Sequence, residues 1–154
     1  MSGVWARFQG VSVVESGPID LEARPALRQA YADGIERGFD GDLPELPGEA
    51  ETYLLRAGGE EVGLIALLEG CPGAADIAVV ALAIAPDHRG NAYATKALVA
   101  VERRLSRDRN RRLVTRVPRT NGRGLYFMLR AGFTPTTEAS DDGDATWFAR
   151  GGSH

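Results

Sequence analysis

Apolar and polar positions alternate over Gly10–Ser16 (GVSVVES), which predicts a strand. The period lengthens over Asp20–Gly38, where Leu27, Tyr31 and Ile35 recur at helical spacing and Pro25 suits a first helical turn. From there through Gly48 a Gly or Pro falls every few residues, which predicts loop or short helical turns. ETYLLRAGGEEVGLIALLEG reads as two strands joined at Gly58-Gly59, a hairpin signal. Asp76–Pro86 (DIAVVALAIAP) is almost wholly apolar, so it should be a central strand covered on both faces. A helix over Arg89–Leu105 follows, with Ala94, Ala97, Leu98, Val101 and Leu105 marking one face. RLVTRV is a strand closed by Pro118, NGRGLYFMLRAG a short helix capped by Gly132, and FTPTT with DATWFAR a last hairpin across EASDDG.

This order is a mixed α/β arrangement with antiparallel hairpins and one crossover helix, expected as a single domain over residues 1–154 with no repeat or linker. The crossover places the start of the Arg89–Leu105 helix beside the end of the apolar strand. Amide groups in a first helical turn have no intrahelical partner, and the macrodipole adds partial positive charge. Gly90, Asn91, Ala92 and Ala94 leave that backbone nearly bare, and Arg89 adds a cation. A phosphate could sit there. The same small residues would equally let the helix pack tightly on the sheet.

Composition narrows the classes. A chain of 154 residues supports one well-filled core, and its apolar and charged fractions are those of a globular protein. No apolar run is long enough to span a bilayer, and MSGVWARFQG lacks the apolar stretch of a signal peptide, so a cytoplasmic protein is expected. Cys71 is the lone cysteine and His88 and His154 the only histidines, which argues against a disulfide or a multi-ligand metal site. Net charge is −3, unevenly spread. Asp40–Glu51 carries five acids and no base, while Arg103–Arg119 carries eight arginines against Asp108 alone. Solvated surface explains both runs. The sharper alternatives are a cationic substrate near Asp40, Asp42 and Glu45, and a phosphate-bearing ligand near the arginines. The arginines have no interleaved aromatics, and with an acidic chain a nucleic-acid partner is not expected.

LAIAPDHRGNAYATKAL resembles the cofactor motif of the GNAT superfamily of acyl-CoA-dependent N-acetyltransferases: a strand ending in Pro, then Arg/Gln-x-x-Gly-x-Gly/Ala. RTNGRGLYFMLRAGF resembles that family's second motif, with Asn121 eleven residues before Gly132-Phe133. The likeness covers Glu61–Phe133, and RGxxYATxAL is closest to the subgroup that includes ribosomal-protein N-terminal acetyltransferases. It implies a splayed central sheet flanked by helices and acetyl-CoA as cosubstrate. The backbone of Leu82, Ala83 and Ile84 would pair with the pantetheine arm, and the amides of Gly90, Asn91, Ala92, Tyr93, Ala94 and Thr95 would hold the pyrophosphate. Arg89 would sit at its edge and Asn121 would contact the cofactor from the far side. An amide near Leu82 would polarise the thioester carbonyl. The implied reaction is direct attack by a neutral amine of a small molecule or peptide, with no membrane partner; a homodimer stays open.

The departures matter. Ala92 replaces a family glycine; an alanine with right-handed geometry keeps its N–H. A tyrosine that often protonates the leaving thiolate corresponds to Met128, and a serine used in the ribosomal subgroup corresponds to Gly124, so the catalytic residues stay unassigned. Tyr126 lies about 200° around the helix from Met128 and reads as packing. Glu69 and Asp76 read as solvated turn carboxylates, and Asp76 is roughly 20 Å of extended strand from Leu82. Tyr53 and Glu51 lie on a strand whose faces the sequence does not distinguish. Tyr31, Trp5 and Trp147 read as core, His88 as surface, and Cys71 as an unactivated thiol. An acyl-CoA binder without amine transfer is the alternative function.

Overall fold

The computed structural model describes residues 3–33, 50–70, 76–109, 112–118, 122–136 and 145–151 of the chain. Eight strands lie among them: β1 (Val4–Phe8), β2 (Val11–Glu15), β3 (Glu51–Ala57), β4 (Glu60–Glu69), β5 (Asp76–Ile84), β6 (Arg112–Pro118), β7 (Thr134–Thr136) and β8 (Ala145–Gly151). They form one sheet in the order β1-β2-β3-β4-β5-β6-β8-β7. Among these strands only the β5–β6 pair is parallel. The helices are α1 (Pro25–Asp33), α2 (Tyr93–Arg109) and α3 (Gly122–Arg130). None of the described helices is long and apolar enough to cross a membrane.

Local chemistry accounts for most of these elements. Gly58 and Gly59 both have positive φ (59° and 81°), the backbone that a two-residue hairpin requires, and they join β3 to β4 as expected. Gln9 and Gly10 (46° and 85°) make a second such turn and pair β1 with β2. β1 is an addition to the expected order. It is a short edge strand with one fully buried side chain, Ala6, too weak a pattern to stand out in the sequence. The last hairpin forms as β7 and β8, with β8 inserted between β6 and β7. Gly132 (φ 91°) ends α3: its N–H bonds the Leu129 carbonyl, and the Phe133 N–H reaches the Met128 carbonyl, with both Phe133 and Met128 buried.

Two expected helices start later than the periodicity indicated. The Asp20–Gly38 segment is a 3₁₀ turn (Leu21–Ala23, capped by Asp20 Oδ1 on the Glu22 N–H) followed by α1. Arg24 between them is non-helical (φ −132°, ψ 75°), because a proline disfavours helical geometry in the residue before it. Residues 34–49, including Asp40, Asp42 and Glu45, lie outside the described residues. The Arg89–Leu105 helix instead spans Tyr93–Arg109, since Gly90 (φ 87°) and Ala92 (φ 60°) cannot join a right-handed helix.

The sheet is covered on both faces. On one face α2 buries Ala97, Leu98, Val101 and Leu105 against Val13, Leu55, Ile65 and Val79, joined by Met128 and Phe133. Each buried Leu or Val there contributes about 1.5–3 kcal/mol. On the other, Leu27 and Ala30 of α1 meet Leu54, Leu64, Ala66, Ala81 and Ala83. β5 is thus buried on both sides, as its apolar run requires.

Candidate active site

β5 and β6 part company halfway along. Their parallel register runs from Asp76↔Arg112 to Val79↔Thr115 and no further, although β5 continues to Ile84. At the same level the antiparallel β4–β5 register slips: Ala66 faces Ala81 and Leu67 faces Val79, so Val80 is an extra residue, a β-bulge. The bulge also switches faces. Ile77 and Val79 pack under α2 together with Leu82 and Ile84, while Val80, Ala81, Ala83 and Ala85 pack toward α1. The buried Thr115 hydroxyl closes the last parallel pair by donating to the Val79 carbonyl at 3.2 Å.

Beyond the bulge no described strand pairs with one edge of β5, and the polarity of that edge follows from the ladder. The Ala85 N–H donates to the Val62 carbonyl of β4 at 2.8 Å. Backbone groups alternate sides along a strand in an antiparallel ladder, so Ala83 and Ala81 also point to β4. Leu82 and Ile84 therefore present their N–H and C=O groups toward the gap left by β6. Of the expected trio, Ala83 has its amide and carbonyl committed to the sheet. Gly63, opposite Ile84, has no room for a side chain: a Cβ there would lie 2.3 Å from the Ala83 oxygen.

The chain leaves this edge through the 3₁₀ turn Pro86–His88 and enters the loop Arg89–Ala92 before α2 begins. The Lys96 N–H bonds the Ala92 carbonyl at 2.9 Å, so Ala92 is the N-cap and the amides of Tyr93, Ala94 and Thr95 form the unpaired first turn. Gly90, Asn91 and Ala92 are exposed, and nothing approaches within 4 Å of where a Gly90 Cβ would be. Left-handed residues running into a right-handed first turn aim successive N–H groups into one concavity, an anion-binding arrangement. Ala92 differs from its expected geometry: it is left-handed, which costs an L-residue roughly 1–2 kcal/mol. Side chains brace the loop. Asn91 Nδ2 donates to the His88 carbonyl (3.1 Å), Arg89 Nε donates to the Ile84 carbonyl (3.2 Å), and His88 Nε2 lies 3.6 Å from Glu60 Oε2. His88, expected at the surface, is half-buried in this network, 6.4 Å ring to ring from Tyr93. A phosphate suits the loop because the donors are backbone amides beside the open space at Gly90.

Other candidates fall away from this edge. Asp76 is buried rather than solvated and takes a two-pronged ion pair from Arg112, Nε–Oδ1 3.0 Å and Nη2–Oδ2 3.1 Å, closing the base of the β5–β6 pair. Glu69 is exposed at the end of β4. Tyr53 and Glu51 face α2: the Tyr53 hydroxyl donates to Glu51 Oε2 at 2.8 Å and its ring packs on Trp5. Burial, then the hydrogen bond and charge of Glu51 and the charge of Glu15, push the Tyr53 pKa well above the usual value, with Arg104 opposing. Tyr126, expected to pack, is 62% exposed with Arg130 over its ring, whereas Met128 is buried. Within the arginine run, Arg103 lies on Phe8, Arg104 lies on Trp5 and Arg112 pairs with Asp76, all structural contacts. Trp5 is half-buried and packs against the core under α2, and Trp147 is half-buried in β8. Among the described residues no three His, Cys, Asp or Glu side chains cluster as a metal site. Asn121 and Cys71 lie outside the described residues, as does the side chain of Tyr31, while Gly124 lies in the first turn of α3. What the sequence did not reveal is the Val80 bulge and Thr115; the hydroxyl in the otherwise apolar centre of RLVTRV was the only available signal.

A mixed sheet thus splits beside a helix N-terminus, with the edge of one strand leading to unpaired first-turn amides. The Acetyltransferase (GNAT) family model matches residues 20–133, and the chain belongs to this family. No curated protein matches the chain in sequence. Among solved structures it is similar to an acetyltransferase from Thermus thermophilus, at 22% identity and TM-score 0.68 over 94% of this chain and 99% of that one. A Bacillus subtilis acetyltransferase in complex with CoA shares 13% identity at TM-score 0.59, covering 95% and 98% of the two chains. A GNAT family acetyltransferase from Elizabethkingia anophelis with acetyl-CoA bound shares 14% at TM-score 0.59, covering 93% and 99%. At these identities the structural likeness establishes the fold: a splayed α/β sheet flanked by helices.

Proposed function

We propose that the protein is an N-acetyltransferase that uses acetyl-CoA and delivers the acetyl group to a primary amine of a small molecule or peptide. The observation that carries this reading is the end of β5–β6 pairing at Val79–Thr115, which leaves Leu82 and Ile84 facing a gap that leads to the Gly90–Thr95 amides. CoA and acetyl-CoA in two proteins of the same fold support the choice of cosubstrate. The wording of residues 89–98 favours the ribosomal-protein-like subgroup and so a peptide amine among the acceptors.

Acetyl-CoA supplies an activated acyl group and a good leaving thiolate. The chain supplies position and polarisation. The amides of Tyr93, Ala94 and Thr95, with the loop before them, hold the pyrophosphate. Leu82 and Ile84 hold the arm as an added strand would, and the Leu82 N–H donates to the acyl carbonyl, where negative charge develops during attack. Holding the acyl carbon beside the amine lowers the entropic part of the barrier. No proton donor stands at Met128 or Gly124. A CoA thiol has a pKa near that of free cysteine, about 8.5, so water can protonate the thiolate. A well-placed acid contributes about 10²–10⁴-fold, and this enzyme works without that factor.

The test is a titration with acetyl-CoA followed by thiol release against a panel of small amines and peptides. Saturable binding with amine-dependent release supports the proposal; binding with no release for any amine would favour the acyl-CoA binder, which the Met128 and Gly124 substitutions also fit. Tyr126→Phe should change kcat less than tenfold, because that ring faces solvent.

A further inference from the structure

Trp147 of β8 is half-buried, yet among the described residues it packs in neither core cluster. Its indole Nε1 is shut off from solvent and finds no hydrogen-bond partner. The other such atom among the described residues, Glu102 Oε2, lies in an ion pair with Arg150. An orphaned buried donor is a standing cost to a fold, and native structures hold few of them. We propose that Trp147 is a specificity-determining residue for the acceptor. Its N–H receives a carbonyl or carboxylate oxygen that lies beside the attacking amine. The proposal rests on reading the β5–β6 split as the place of acetyl transfer, and it favours α-amines of peptides or amino acids over plain alkylamines.

Position carries it first. Trp147 pairs with Arg116, the residue after Thr115, where β5–β6 pairing ends. It stands where the split begins, one strand from the gap, a spacing of roughly 5 Å. The β6–β8 ladder runs without a register slip, so side chains alternate strictly along β8. Phe148 packs under α2 and Arg150 pairs with Glu102 of α2, so Trp147 points to the opposite face. The proposed pyrophosphate amides belong to α2. The cofactor then takes that helix's side, and the amine comes from the face of Trp147. On this face β5 presents apolar side chains beside the split: Val80, Ala81 and Ala83. These cannot orient a polar acceptor, whereas an unpaired indole N–H can.

Chemistry then selects the partner. An indole N–H is a donor only. The attacking amine keeps its lone pair for the acyl carbon, so the oxygen that meets Trp147 belongs to a second group. In an α-amine that group is the adjoining carbonyl or carboxylate. The donor is already free of water, so the oxygen meets it without stripping solvent from it.

The test compares the parent with Trp147→Phe, which keeps an aromatic ring and removes the donor. Acceptors are alaninamide, alanine and ethylamine, with thiol release as the readout; calorimetry with CoA and circular dichroism follow cofactor binding and fold. The parent should show a lower KM for alaninamide or alanine than for ethylamine. The variant should raise the KM of that preferred acceptor roughly three- to tenfold, the worth of one hydrogen bond, with kcat, ethylamine kinetics and CoA affinity unchanged. A rise for alaninamide marks a peptide carbonyl as the oxygen held; a rise for alanine alone marks a free carboxylate. An equal rise for ethylamine, or weaker CoA binding, would make Trp147 a packing residue and overturn the proposal, as would unchanged kinetics throughout. If the variant does not fold, the parent decides: ethylamine used as well as both carbonyl-bearing amines overturns the role of Trp147. A parent that binds CoA but releases no thiol with any amine overturns the proposed transfer and this inference together.

Discussion

The two halves of β5 use similar residues to opposite ends. From Asp76 to Val79 the strand is paired on both sides, tied to β6 by the parallel register, the Asp76–Arg112 ion pair and the Thr115 hydroxyl. From Val80 to Ile84 it is paired to β4 alone, and its other edge faces a gap. The lower half is closed by side chains, and the upper half offers backbone. That division lets one strand serve as core and still keep a bare edge, the one the proposed function gives to acyl-CoA: fixing β6 firmly at the base allows it to diverge at the top without loss of the sheet. It also explains why few chemically distinctive side chains mark the site. The groups that would hold an acyl-CoA are amides and carbonyls, whose arrangement depends on register.

The contrast can be broken most severely at its base. Arg112→Ala leaves the Asp76 carboxylate buried without its main cation. Loss of one partner of a fully buried pair costs 3–5 kcal/mol, and these side chains are 20% and 10% exposed, so a loss of about 2–4 kcal/mol is expected by urea denaturation. A loss below about 1 kcal/mol would place the pair among solvated ones.

In the open half, Gly90→Val should weaken CoA binding at least about tenfold, or about 1.4 kcal/mol, by crowding the amides. Because Gly90 sits at φ 87°, the same change also strains the loop, so a stability loss of about 1–2 kcal/mol should accompany it. Parent-like affinity in calorimetry would remove the loop from the binding site.

Ala92→Gly sharpens the contrast in the other direction. It relieves a left-handed alanine at some cost in chain entropy, for a net gain of about 0.5–1 kcal/mol, seen as a rise of about 1–4 °C in Tm. A fall in Tm would mean that the loop does not hold this geometry.

The smallest effect at neutral pH concerns Tyr53, two strands from the open edge in the row of Leu82. Its pKa is raised in the folded protein, so above the unfolded value of about 10 the unfolded chain loses a proton that the folded one keeps. Stability is thus unaffected at pH 7 and falls as pH rises beyond 10. Tyr53→Phe should flatten that alkaline slope; an unchanged slope in denaturation at several pH values would assign it to other groups.

How much of this could be read in advance depended on how local the cause was. The glycines at 58 and 59 and the cap at Gly132 act through the backbone within a few residues, and each did what its sequence indicated. The apolar run of β5 determined that the strand would be covered on both faces, because no other environment accommodates it. The face each residue takes was another matter. Alternation alone would separate Val79 from Leu82, yet they share the α2 face, since the bulge at Val80 arises from how β4 pairs with β5. The same non-local register decided that Leu82 and Ile84, and not Ala83, face the gap. Arg112 lies 36 positions after Asp76, so only the parallel pairing of β5 and β6 could turn an apparent turn carboxylate into half of a buried ion pair. Likewise Ala92 became left-handed because the loop before α2 must turn there, a demand set by where the strand ends and the helix docks, which no intrinsic preference of alanine would predict.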